Sequence, residues 1–196
     1  GPPSGLGDNH LSAIGDLLDD PLPMLEPLRQ LPATLLHGDP YGEHWQLTLF
    51  EQHALLDWRR VQAGPCLWDL VAFVEQFDLL YPDQGDLPLV MRQQRPLSNE
   101  AIIDSYLLAM SKKLGRQFPA RAVRQAFPAA RCLYTLLTWL PQFATWFDQL
   151  PNPNAWRKLN NATDEQLIGT VFEPFISYRP YFTAVFRRFL RAYRML

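Results

Sequence analysis

His37-Gly38-Asp39-Pro40-Tyr41-Gly42-Glu43-His44 is followed eleven positions further on by Leu55-Leu56-Asp57-Trp58. The first stretch puts an aspartate on a glycine-bent turn, and the second ends an apolar run in another aspartate. A reaction at a hydroxyl needs a carboxylate within hydrogen-bond reach, held by a rigid turn. Gly38 allows the tight bend, His37 can pin it through a ring nitrogen, and Asp39 projects from it. Phosphoryl transfer also needs a hard divalent cation on oxygen ligands, which a carboxylate at the end of a strand is suited to supply.

The hairpin follows from the flanking residues. Trp45 to Phe50 alternates in part, Ala54 to Trp58 is apolar until Asp57, and Glu51-Gln52-His53 between them reads as the turn. Ala33 to Leu36 is a short apolar run entering the His-Gly-Asp turn. Beyond Gly64-Pro65 the pattern becomes helical. Apolar positions at 68, 70, 71, 73, 74, 77 and 80 predict a helix over 68–80. Ser98 or Asn99 can cap a helix to Leu114 with Ile102, Ile103, Tyr106, Leu107 and Met110 on one face. Ala120 to Phe147 reads as helix interrupted near Pro128 and Pro141. Thr163 and Gln166 fit a capping box whose helix should stop before Pro174, and Pro180 fits the first turn of a last helix. Upstream, helical spacing over Leu11–Leu18 and Met24–Leu31 is broken by Pro21 and Pro23. These features predict one α+β domain over 1–196, predominantly helical, with a small β-hairpin carrying the motifs. Residues 1–10 are expected to be flexible or tag-derived.

Order and spacing resemble a known group. His37-Gly38-Asp39, then Leu56-Asp57-Trp58, then Gly64-Pro65 and Trp68-Asp69-Leu70, look like the catalytic and metal-binding motifs of the aminoglycoside phosphotransferase and choline kinase group. The resemblance implies a protein-kinase-like C-terminal lobe and an ATP- or GTP-dependent transfer of phosphate to a small-molecule hydroxyl. It implies Asp39 as the catalytic carboxylate and Asp57 as a magnesium ligand. It further implies that Asp69 braces the catalytic turn from the next helix, with His37 and Gly38 shaping that turn. Where the group has asparagine this chain has His44, an imidazole nitrogen in place of a carbonyl oxygen. That exchange implies a second metal position weakened for magnesium, and leaves manganese or a phosphate contact as alternatives.

The nucleotide-holding features of such enzymes are missing. Gly5-Leu6-Gly7 lacks a third glycine, and the first lysine, Lys112, follows the motifs. About thirty residues upstream are too few for a β-rich lobe, so the chain is expected to be the C-terminal lobe alone and inactive by itself. Its partners would be the missing N-terminal lobe, or a second copy covering the same face, and a small-molecule acceptor. The competing expectation is a non-catalytic pseudokinase or binding domain.

Composition limits the other classes. Net charge is −2 with 18 basic and 20 acidic residues, so nothing in the balance favours nucleic acid. Cys66 and Cys132 form no C-x-x-C pair and are expected to be buried thiols in a reducing compartment. Gly1 to His10 shows no basic segment followed by an apolar one, and Cys132 to Phe147 is too short to span a bilayer. A soluble, cytoplasmic protein is expected.

Four further features carry weaker expectations. His37, Asp39, His44, His53 and Asp57 contain plausible zinc ligands, but no His-Glu-x-x-His spacing supports a metal hydrolase. His53 reads as a solvated turn residue, and His10 is assigned no role. Trp139, Phe143, Trp146 and Phe147 have core spacing, with Trp156 nearby, while Asp104 and Asp148 could attract a cation. Arg187, Arg188, Arg191 and Arg194 read as a solvated face of the last helix.

Overall fold

A computed structural model of the chain describes residues 7–40, 44–47, 52–80, 97–141, 155, 158–159 and 161–196. It is mostly helical with short antiparallel strands. In order these are α1 (Asp8–Asp19), α2 (Leu22–Arg29), β1 (Ala33–Leu36), β2 (Trp45–Leu47), β3 (His53–Leu55), β4 (Gln62–Pro65), α3 (Trp68–Leu80), α4 (Asn99–Leu114), α5 (Ala120–Tyr134), α6 (Asp164–Leu167) and α7 (Glu173–Tyr193). A 3-10 turn spans Trp58–Arg60, and α5 runs on into a π turn at Thr135–Trp139.

The strands form two separate pairs. β2 pairs with β3 in the expected hairpin, Trp45 opposite Leu55 and Leu47 opposite His53. His53 is therefore a strand residue, not a turn residue, and it is exposed. β1 pairs with β4, Ala33 opposite Pro65 and Leu36 opposite Gln62. This second pair brings the chain after Asp57 back beside the segment that enters the His-Gly-Asp turn. Gly64 is needed for that approach, because a Cβ there would sit 2.7 Å from Leu36 Cδ1.

Helix α5 is the hub of the core. One face packs Val123, Ala126, Phe127, Ala130 and Tyr134 against Leu67, Val71 and Val74 of the α3 region and Ile102, Ile103 and Leu107 of α4. The other carries Cys132, and with Leu136 just beyond it meets Ile14 and Leu17 of α1, Met24 of α2 and Phe186 and Phe189 of α7. Both cysteines are free and buried, and burial pushes the Cys132 thiol up to about 12. Ser98 caps α4 by accepting the Ala101 N–H at 3.1 Å, and the Thr163 N–H donates to Gln166 Oε1 at 3.0 Å.

Proline misplaces two helix boundaries. Pro128 lies inside an uninterrupted α5. As expected, α6 stops before Pro174, ending at Leu167, and Pro174 opens α7. That helix starts at Glu173 and runs through Pro180. Proline removes one hydrogen bond and costs about 3 kcal/mol in an isolated helix. Burial of Phe127, Ala129 and Ala130 in α5, and of Phe175, Val185, Phe186 and Phe189 in α7, outweighs that cost. His10 is also more than an idle N-terminal residue. Its Nδ1 accepts the Gly7 N–H at 3.2 Å, its ring meets Phe186 edge-on, and desolvation lowers its pKa. Residues 1–6, Phe143, Trp146, Phe147, Asp148 and Trp156 lie outside the described residues, while Trp139 packs on the core as its spacing predicts.

Arg188 departs most from expectation. Instead of facing solvent, it joins a buried ionic lock between three helices. Glu75 and Asp78 of α3, each about 2% exposed, face Arg131 of α5 and Arg188 of α7. Arg131 Nε donates to Glu75 Oε1 at 2.5 Å, and Arg188 Nη2 to Glu75 Oε2 at 3.2 Å. Arg188 Nε lies 3.2 Å from Asp78 Oδ2, which also accepts from Asn99 Nδ2 at 2.8 Å. Removing one member of such a set strands the others away from water. Glu75→Ala should therefore cost about 3 kcal/mol or more in urea unfolding; a loss below about 1 kcal/mol would mean the lock contributes little.

Candidate functional site

The turn at residues 37–39 is held from three sides. Asp69, in the first turn of α3, accepts the His37 N–H on Oδ2 at 2.6 Å and the Gly38 N–H on Oδ1 at 3.0 Å. Two short bonds from one carboxylate orient consecutive peptide groups, so the turn's direction is set by α3. The His37 ring is fully buried. Its Nε2 donates to the Leu56 carbonyl at 2.7 Å, since a carbonyl only accepts, and its Nδ1 receives the Asp39 N–H at 3.3 Å. One imidazole thus ties the Asp39 turn to the residue preceding Asp57. Trp58 closes over that ring edge-on at 4.8 Å and donates its indole N–H to the Leu55 carbonyl.

Gly38 adopts φ +81, and a Cβ there would lie 2.4 Å from the Arg60 carbonyl oxygen. Both strain and clash oppose any side chain. Asp57 adopts a left-handed conformation, φ 62 and ψ 62, the one non-glycine residue with positive φ among the described residues. It does not end the strand as expected. β3 stops at Leu55, and Asp57 stands two residues beyond it, where the backbone reverses into the 3-10 turn. Aspartate tolerates this region better than most side chains, and such strain collects at functional sites.

His44 connects the two aspartates. The Leu56 N–H donates to the His44 carbonyl at 2.8 Å, which carries the hairpin pairing one step further and sets His44 beside Asp57. His44 Nδ1 donates to the Asp39 carbonyl at 2.8 Å, and its Nε2 lies 3.6 Å from Asp57 Oδ2. His37, Gly38, Asp39, His44, Asp57 and Asp69 are thus brought into one contiguous arrangement. His53 stays on the exposed hairpin, and Asp104 is exposed in a surface pair with Arg124.

Two arginines belong to this site although sequence reasoning gave them no part. Arg59 Nε and Nη2 contact the two Asp57 carboxylate oxygens at 2.5 and 2.6 Å. Arg60 Nε lies 3.6 Å from Asp39 Oδ2. Both arginines project into solvent, 86% and 73% exposed, while the carboxylates are 25% and 18% exposed. The consecutive Arg-Arg after Asp-Trp was the available signal. Among the described residues, no group of three or more His, Cys, Asp or Glu side chains forms a metal cluster. Magnesium commonly takes one or two carboxylates with water and substrate phosphates, and Asp57 is a carboxylate at this turn that could supply one such ligand. No family model, curated protein or solved structure matches the chain.

Gly38→Ala should destabilise the protein by at least about 2 kcal/mol, measured by denaturant unfolding. A neutral effect would mean that the turn relaxes freely. The Arg59 hydrogen bonds stabilise ionised Asp57 and hold its pKa down to about 2, from an ordinary 3.8. Because the folded value lies below the unfolded one, this contribution to stability is complete above pH about 4 and is lost as pH falls toward 2. A carboxyl-carbon NMR titration should place the Asp57 midpoint near 2, and Arg59→Ala should move it upward. An unchanged midpoint in that variant would exclude the guanidinium as the cause.

Proposed function

We propose that this chain carries the catalytic and metal-binding turns of a phosphotransferase that moves the γ-phosphoryl group of ATP or GTP to a small-molecule hydroxyl, in the manner of the aminoglycoside phosphotransferase and choline kinase group. One observation carries the reading. The Asp69 carboxylate and the His37 ring together fix the Asp39 turn against the Asp57 turn. An orienting carboxylate held near a metal-binding one is what this chemistry would use, and the fixed pair of turns supports that assignment.

In this reading Asp39 accepts the hydrogen bond of the acceptor hydroxyl and takes its proton. The acceptor oxygen bonds to the γ-phosphorus as the bridge to the β-phosphate breaks, and the nucleoside diphosphate leaves with the electron pair. Asp57 would hold a divalent ion, which would supply positive charge against the phosphate oxygens. His37, Gly38 and Asp69 hold the turn in place.

The nucleotide would be held by a separate N-terminal lobe or another copy of the chain. Support comes from the strand region, where Leu35, Trp45, Leu47, Leu56, Trp58 and Val61 all stand 41–67% exposed. Exposed apolar side chains on this scale suit a face that a further body covers. The second reading, a non-catalytic binding domain, is favoured by Arg59 and Arg60, which set guanidinium groups against Asp57 and Asp39.

The test is nucleotide turnover by the protein at its length in the source cell. ATP and GTP would be supplied with magnesium or manganese, and phosphate followed to water and to a panel of polyols and amino alcohols. Turnover is expected, and Asp39→Asn should lower kcat by about a hundredfold or more while the variant stays folded. Absence of turnover with every donor and metal, or an Asp39→Asn variant as active as the parent, would move the protein to the binding-domain reading.

A further inference from the structure

We propose that His44 and Asp57 together hold one divalent ion of the manganese class in preference to magnesium, and that Arg59 is the counter-cation this ion displaces. The inference rests on the reading of Asp57 as the metal carboxylate and adds the identity of the ion and the means of its entry.

The argument begins with the ring. A carbonyl cannot donate, so the 2.8 Å contact to the Asp39 carbonyl places a proton on His44 Nδ1. A histidine whose Nδ1–H is anchored on a backbone carbonyl is oriented as metal-binding histidines are, with Nε2 directed at the ion. Here Nε2 is directed at Asp57 Oδ2, 3.6 Å away. A ring lone pair facing a carboxylate at that distance is repulsive unless positive charge lies between them, either a proton or a metal ion. Two bonds of about 2.1 Å meeting at a right angle hold their donor atoms about 3.0 Å apart. A few tenths of an ångström of closure therefore brings both atoms onto one ion. Mixed nitrogen and oxygen donors disfavour magnesium, which prefers oxygen throughout, and suit a first-row transition ion. Water and phosphate oxygens would complete the shell.

Arg59 supplies the device that keeps the carboxylate balanced without an ion. It covers both Asp57 oxygens, yet it is 86% exposed and anchored only two residues away. An exposed ion pair of this kind contributes little stability, so a divalent ion can replace it at small cost.

The experiment uses the full chain without nucleotide or acceptor, so phosphoryl transfer has no part in it. Free manganese would be followed by its electron paramagnetic resonance signal, with magnesium as competitor. Manganese is expected to bind at least about tenfold more tightly than magnesium. His44→Asn should lose about tenfold in manganese affinity and narrow that ratio, whereas Arg59→Ala should tighten binding of both ions. In the unaltered chain, manganese should broaden the proton NMR signals of the His44 ring, a readout that depends on no variant's folding. Manganese and magnesium of equal affinity, an unchanged ratio in His44→Asn, or His44 signals left sharp by saturating manganese would each overturn the proposal. Magnesium-dependent turnover in the source protein alongside any of these results would sink this ion assignment and leave the phosphotransferase reading standing. Selective manganese binding with no turnover anywhere would do the reverse.

Discussion

The carboxylate of Asp69, accepting the backbone N–H groups of His37 and Gly38, is the contact on which the geometry of the site depends. Charge-assisted bonds to two successive amides leave the turn little freedom. Everything downstream inherits that restraint. His37 is oriented by its own backbone and passes the register to Leu56, and Leu56 pairs with His44. A helix and a hairpin that share few apolar contacts are thereby joined by polar bonds of known direction. Apolar packing could bring these elements together, but it has no directionality and would not set the relative position of two carboxylates.

The helix that carries Asp69 is itself held by charge. Glu75 and Asp78, six and nine residues further along α3, are locked to Arg131 and Arg188. Buried ion pairs add little net stability compared with well-packed apolar residues, because desolvation offsets the attraction. Their value is directional. Sliding or rotating α3 against α5 and α7 would leave carboxylates and guanidinium groups unpaired away from water, whereas Val71 and Val74 could repack against several neighbours. The same helix thus meets the core through a polar lock at one end and positions the Asp39 turn at the other.

Much of this was legible in the sequence, and the exceptions have physical causes. Helices α3 and α4 were read to their limits, because apolar periodicity and the Ser98 cap are local signals. The boundaries placed at Pro128 and Pro180 were misplaced because tertiary burial outweighs a local propensity. β4 was missed because Gln62-Ala63-Gly64-Pro65 has no alternation, and its strand character comes from pairing with β1. Glu75 and Asp78 were a neglected signal, two acids within an otherwise apolar helix. Arg188 lies on the buried side of α7 by its own spacing, three residues after Val185 and four before Ala192, both buried. At the site, the order of motifs marked Asp39, Asp57 and Asp69. The grip of Arg59 on Asp57 could not be read, because a contact between residues two apart depends on the left-handed backbone at Asp57.

That left-handed residue explains why the two arginines lie where they do. Had β3 continued to Asp57, Trp58 and Arg59 would alternate across a strand, and Arg59 would fall on the same face as Asp57 but more than 6 Å further along it. The reversal at Asp57 folds the chain back within two residues. Arg59 then reaches both carboxylate oxygens, Trp58 turns onto the His37 ring, and the Arg60 carbonyl closes on Gly38. One strained dihedral pair thus produces three contacts, each touching a different part of the site. The strain, of order 1–3 kcal/mol, is tolerable because these contacts over-determine the turn. An aspartate there serves twice, as a side chain that accepts the left-handed backbone and as the carboxylate that the turn presents.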